Sequence, residues 1–110
     1  MNGTMSVVAL GDLAPECLAC LEGEGLRVDA RPELDEAGLL RHVAEYDALV
    51  AGPDAPVTAA ALAAGTRLRV VGRAGVDLVG VDVAEATRRG IVVVNAPDSA
   101  DISAAEHALA

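Results

Sequence analysis

Residues 68–96 read LRVVGRAGVDLVGVDVAEATRRGIVVVNA, and this stretch decides the fold. It opens on an apolar run, Leu68–Val71, that ends in Gly72-Arg73-Ala74-Gly75, where paired glycines allow a tight loop. After a short connection comes Asp82 with Glu85 three residues on, an arrangement suited to capping the start of a helix. The helix carries Val83, Ala84, Ala86 and Thr87, and Arg88-Arg89 fall in its last turn, where cations suit the dipole. Gly90 follows as a left-handed stop. A second apolar, β-branched run, Ile91–Val94, closes on Asn95-Ala96-Pro97. Strand, glycine loop, capped helix and buried strand together make one βαβ unit, and such a unit implies two parallel strands.

The same alternation extends toward the N-terminus. Ser6–Leu10 reads as a first buried strand, turned by Gly11-Asp12. Leu13-Ala14-Pro15-Glu16 starts a helix with Pro near its first position, presenting Leu13, Cys17, Leu18 and Leu21 at helical spacing. Gly23 and Gly25 break it before a short strand, Leu26-Arg27-Val28. Pro32-Glu33-Leu34 begins a second helix with Leu34, Ala37, Leu40 and Val43 as its apolar positions. Tyr46-Asp47 leads into a strand at Ala48–Ala51, and an Ala-rich helix at Thr58–Ala64 stops at Gly65. Five strands alternating with helices predict an α/β domain, a flavodoxin-like or Rossmann-like open parallel sheet in the order 2-1-3-4-5 with helices on both faces.

Composition narrows the partners. The chain has 110 residues, enough for one domain, and 53% of them are hydrophobic with one Tyr, no Phe and no Trp. Val, Leu, Ile and Ala must therefore build the core. The formal net charge is −9 and every basic residue is Arg, which opposes nucleic acid or an anionic membrane as partner. No apolar run approaches the roughly 20 residues of a membrane span. MNGTMSVVALG lacks the basic and apolar segments of a signal peptide, so a cytoplasmic location is expected.

Several short motifs add a resemblance. Gly72-Arg73-Ala74-Gly75-Val76, Val81-Asp82, Arg89-Gly90-Ile91, Asn95-Ala96-Pro97 and Ser103-Ala104-Ala105-Glu106-His107-Ala108-Leu109 fall in order and without a gap. In this the chain resembles the D-isomer-specific 2-hydroxyacid dehydrogenases, and most nearly their phosphoglycerate-oxidising branch, which serves serine biosynthesis. The family runs a strand into G-R-A-G-V-G-L-D-N-V-D, then a helix, then R-G-I-x-V-x-N-A-P and S-A-A-E-H-A-L. The resemblance implies a substrate-side domain at 1–97 and the start of an interdomain linker helix at 98–110. An NAD-binding domain, with the catalytic Arg, Glu and His, would lie beyond Ala110. It further implies that Arg73, Ala74, Gly75 and Val76 meet the carboxylate of a small 2-hydroxy or 2-keto acid, with Val76 beside the cofactor's nicotinamide. Chemically such a loop is an anion nest with a guanidinium nearby. As a plain alternative, Arg73 is a surface residue and the glycines only make a turn.

The chain also departs from the family's pattern. Asp77 stands at the second loop glycine, and a carboxylate there opposes a carboxylate substrate. Val79-Gly80 replaces an Asp-Asn pair, Ala51-Gly52 replaces the Arg-Ser that meets the phosphate, and Ala100 replaces an Asn. No G-x-G-x-x-G follows a strand, so no dinucleotide is expected to bind the chain alone, and none of its residues reads as catalytic. Gly23-x-Gly25 is a turn ahead of a strand. His107 matches the linker helix rather than a catalytic His, and His42 lies on a polar helix face. Cys17-x-x-Cys20 sits inside a helix without a second Cys pair, which suits reduced thiols better than a metal or a redox centre. A phosphoacceptor domain of the same topology would need an Asp at the position of Gly52 and a Lys after the fifth strand, and the chain has no Lys.

The sequence thus reads as the substrate-side domain of an NAD-dependent D-2-hydroxyacid oxidoreductase, inactive by itself. Two alternatives stand beside it: a non-catalytic interaction module derived from such a domain, and a small-acid sensor using Arg73. The cut apolar face of the linker helix, at Ala104, Ala105, Ala108 and Leu109, is open to self-association.

Overall fold

The computed structural model describes residues 5–11, 13, 15–23, 25–31, 33–52, 55–74, 78 and 80–95, with backbone alone for 17, 20 and 21. The strands are β1 (Ser6–Leu10), β2 (Arg27–Arg31), β3 (Ala48–Ala51), β4 (Val70–Arg73) and β5 (Val92–Asn95). Between them run α1 (Pro15–Gly23), α2 (Glu36–His42) continued by a 3₁₀ turn (Val43–Glu45), α3 (Ala59–Ala64) and α4 (Val83–Arg88). All four strand pairs are parallel, and the sheet order is β2-β1-β3-β4-β5. This is the order expected from the alternation of elements. Because the chain steps one way from β1 to β2 and the other way thereafter, right-handed crossovers put α1 on one face and α2, α3 and α4 on the other.

The three central strands are buried on both faces, which is why they are written as unbroken runs of Val, Leu and Ala. On the helix-rich face, Val8, Leu49 and Val71 pack with Leu39, Val43, Leu62, Ala86 and Ile91. On the opposite face, Val7, Ala48, Val50 and Val70 form a smaller cluster, reached by Leu13, Leu26 and Val28. At the N-terminal edge, Asp47 ties three elements together. Its carboxylate accepts the Ser6 N–H at 2.9 Å and the Arg67 guanidinium at 3.1 Å, and its carbonyl accepts the Arg69 N–H at 2.9 Å.

Several boundaries differ from the sequence expectation. The second helix does not begin at Pro32-Glu33-Leu34. Asp35 caps it, accepting the Gly38 N–H at 2.8 Å, and the helix starts at Glu36. That later start rotates the buried stripe, so Gly38, Leu39 and Val43 face the core while Ala37 and Leu40 are exposed. A side-chain cap outweighs apolar spacing here because it fixes which N–H groups are satisfied. β2 runs to Arg31 rather than ending at Val28, since pairing with β1 continues through Leu10↔Arg31. β4 spans Val70–Arg73 instead of Leu68–Val71, and β5 spans Val92–Asn95 instead of Ile91–Val94. α1 continues through Gly23, and Gly25 makes the turn at φ +85.

Other expectations hold. Asp82 caps α4, accepting the Glu85 N–H at 3.0 Å, and the Ala-rich helix forms as α3, though Thr58 is its cap rather than its first residue. Glu85 does not reach back to complete a capping box, because its carboxylate pairs with Arg88 and Arg89. Gly90, at φ +74, ends that helix as a left-handed residue. No helix among the described residues is long and apolar enough to cross a membrane. The proposed linker segment at 98–110, including His107, lies outside the described residues.

Candidate functional site

In an open parallel sheet, ligands gather beyond the carboxyl ends of the strands. Here the register places one residue from each strand in a last row, Arg31–Leu10–Ala51–Arg73–Asn95. Three of the segments singled out in the sequence therefore leave the sheet side by side, at Ala51-Gly52, Arg73-Ala74 and Asn95. Gly75, Val76, Asp77 and Val79, the remainder of the proposed substrate loop and its neighbour, lie outside the described residues, as do Ala96 and Pro97.

The exits of β3 and β4 are bonded to one another. The Ala74 N–H donates to the Ala51 carbonyl at 2.8 Å. Beyond the sheet, Val57 and Val81 form an isolated parallel bridge. In it the Val57 N–H donates to the Gly80 carbonyl at 2.9 Å, and the Asp82 N–H donates to the Val57 carbonyl at 3.0 Å. No local pattern announces this bridge, because it joins two loop residues 24 positions apart.

Arg73 is not the surface residue of the plain alternative. It is 1% exposed and heads the largest fully buried side chains. Its alternation along β4 matches that of Val71, so it points to the helix-rich face, beneath the edge. Its Nη1 donates to the Gly52 carbonyl, and a Cβ built on Gly80 would lie 3.2 Å from its Nη2. Gly80 has φ +88, a backbone that side chains rarely adopt. The two glycines read from sequence as lost contacts thus flank the guanidinium. Only the close approach of the two loops could have revealed this.

Beside β1, a cleft of about 240 Å³ is lined by Leu10, Leu34, Leu39 and Ala55 together with Asp35 and Glu36. Both carboxylates are committed, Asp35 to the Gly38 N–H and Glu36 to the Thr58 hydroxyl at 2.7 Å. An apolar cleft with acidic members does not suit an anion. At the turn after β1, a Cβ on Gly11 would meet the Ala55 Cβ at 3.2 Å, so this turn packs closely against the loop that follows β3. Among the described residues no three or more His, Cys, Asp or Glu come together to hold a metal. His42 sits 3.7 Å from Glu45 on the helix surface, away from the edge.

Three groups among the described residues have displaced titrations, Tyr46, Glu85 and Arg88, the last raised by its hydrogen bond to Glu85. Burial, and then the hydrogen bond to Asp29, hold the Tyr46 hydroxyl above its usual 10.0. Hydrogen bonds from Arg88 and then Arg89 hold the Glu85 carboxyl below its usual 4.5. None of these groups belongs to the segments that leave β3, β4 and β5, and their pairings tie scaffold elements together.

Comparison with known proteins agrees with this layout. Residues 7–110 match the D-isomer specific 2-hydroxyacid dehydrogenase catalytic domain. The chain belongs to that family. Among the D-isomer-specific 2-hydroxyacid dehydrogenases it is similar to the D-3-phosphoglycerate dehydrogenase of Mycobacterium bovis, 47% identical over 108 residues, covering 97% of this chain and 20% of the relative. It is 41% identical over 107 residues to that of Synechocystis sp., covering 97% of this chain and 19% of the relative. The chain thus spans about a fifth of the curated relatives it matches.

Solved members of this fold superpose well. An NAD+-bound 3-phosphoglycerate dehydrogenase of Entamoeba histolytica aligns with a TM-score of 0.74 at 19% identity, covering 84% of this chain and 33% of that one. An NADPH-dependent glyoxylate/hydroxypyruvate reductase of Sinorhizobium meliloti, in complex with NADP and malonate, aligns at 0.73 and 26% identity, covering 87% and 29%.

Proposed function

We propose that this domain forms the substrate side of an NAD-dependent D-2-hydroxyacid oxidoreductase of the phosphoglycerate dehydrogenase type. In it the loop that leaves β4 at Arg73 receives the carboxylate of a small 2-hydroxy or 2-keto acid on Ala74, Gly75 and Val76. The observation that carries the reading is the last row of the sheet, which brings the exits of β3, β4 and β5 to one edge. The family's loop motif starts in that row, at Arg73. Successive backbone N–H groups in a glycine-containing turn attract an anion without needing a long side chain.

NAD supplies hydride chemistry at C2 of the acid when bound in such enzymes. The 110 residues do not fit it, because they contain no G-x-G-x-x-G to make the glycine turn on which a dinucleotide is held. The domain's own contribution is binding and orientation of the acid, and it is inactive by itself. Val76 would be the residue nearest the nicotinamide when a nucleotide-binding domain closes over the site.

Asp77 sets the affinity. Two like charges about 4 Å apart repel by about 4 kcal/mol at an effective dielectric of 20, and solvent reduces this at an exposed loop. Malonate titrated into the chain, followed by amide shifts of residues 74–77, tests the reading. Weak binding is expected in the parent and tighter binding in Asp77→Gly. Equal, flat titrations in both would overturn it.

A further inference from the structure

Arg73 occupies the site's position in sequence but not in space. At 1% exposure its guanidinium lies under the edge, out of reach of a solute above it. What it touches is the chain itself. Nη1 donates to the carbonyl of Gly52, the first residue past β3, and Nη2 faces the backbone of Gly80 in the turn before α4. Those two segments are already joined by the Val57–Val81 bridge, so the guanidinium fills the gap beneath a closed frame.

We propose that Arg73 is a positioning residue: its buried guanidinium braces Gly52 against the Gly80 turn, fixes the spacing of the β3 and β4 exits, and governs anion binding through the loop without contacting the anion. This deepens the proposed function and rests on it for the anion, while the brace itself does not.

The chemistry favours Arg at this point. A guanidinium is planar and carries donors along two edges, so one side chain can meet two loops in a fixed geometry. A Lys ammonium keeps the charge but offers a single compact centre. Gly80 is the complementary half of the device. At φ +88, with no Cβ, it lets the backbone come within packing distance of Nη2, and a side chain there would strain the turn and push Nη2 by a few tenths of an ångström. A residue that bound the anion directly would need the opposite: exposure at the edge, and indifference to what stands at position 80.

Two variants of the chain separate these roles, Arg73→Lys and Gly80→Ala, each read by amide exchange and by malonate titration. The brace predicts that the Val57 and Asp82 amides exchange about tenfold faster in both variants, while the Val8 and Leu49 amides keep their protection. It also predicts that Gly80→Ala, which retains Arg73, weakens malonate by about as much as Arg73→Lys does. Unchanged exchange at Val57 and Asp82 in Arg73→Lys overturns the proposal. So does parent-like malonate affinity in Gly80→Ala alongside loss of binding in Arg73→Lys, since that pattern belongs to a direct ligand. If the parent itself fails to bind malonate, the substrate-side reading falls separately, and the exchange comparison still decides the brace.

Discussion

Replacing Tyr46 by Phe removes one oxygen from the chain's only aromatic side chain, and the consequence can be worked out in some detail. Tyr46 is buried, and its hydroxyl donates to the Asp29 carboxylate at 2.8 Å, linking the end of the 3₁₀ turn to the edge strand β2. Hydrogen bonds to a charged acceptor contribute about 1.5–3 kcal/mol. Asp29 is only half-buried, so water can replace the lost donor in part, and the lower end, about 1.5 kcal/mol, is the expected cost. At about 4–8 °C per kcal/mol for a domain near this size, the melting temperature should fall by roughly 6–12 °C.

The pH dependence has a definite sign. Burial and the Asp29 hydrogen bond raise the folded pKa above 10.0. The proton is therefore held more tightly in the folded state, and the stability this contributes is complete below pH 10. It is lost as pH rises through the folded value. Urea unfolding across that range should show the gap between parent and Tyr46→Phe closing on the alkaline side. With no Trp and one Tyr in the chain, the tyrosinate absorbance band reports this hydroxyl alone. A native titration midpoint equal to that of the urea-unfolded chain would refute the burial and hydrogen-bond argument together.

Two further outcomes are expected. Gly65→Ala would put a Cβ 2.5 Å from Leu68 Cδ1 and 3.2 Å from Val43 Cγ2; overpacking of this kind costs about 1–3 kcal/mol, read as a lower urea midpoint with an unchanged slope. Glu85→Gln removes a carboxyl held below 4.5 by Arg88 and Arg89. The stability that carboxyl contributes is present above 4.5 and lost as pH falls through the folded value, so amide exchange in α4 should depend less on acid pH in the variant than in the parent.

Much of the fold was legible because the relevant signals are local. Capping by Asp82 and Thr58, the left-handed stop at Gly90 and the β-branched runs are each written within a few residues of where they act. The second helix was misplaced because two local signals disagreed. Apolar spacing pointed to a start at Pro32, and the Asp35 cap, which satisfies a backbone donor, set the start at Glu36. Strand ends shifted for a different reason: β4 gained Gly72 and Arg73 through pairing with Val50 and Ala51 and with Val94 and Asn95, partners far away in the chain.

The sequence by itself determined the alternation of strand and helix, the order of the sheet and the family, since periodicity, caps and turn residues are short-range and the loop motif is contiguous. Tertiary structure alone decided where Arg73 lies. Its sequence neighbours, Gly72 and Ala74, mark a loop at a ligand-binding edge and so suggest an exposed cation. Its spatial neighbours include the Gly52 carbonyl and the backbone of Gly80, and Gly80 matters through the Cβ it lacks. A glycine leaves no mark of the partner that occupies the space its side chain would fill, and that space exists only once β3 and β4 lie side by side.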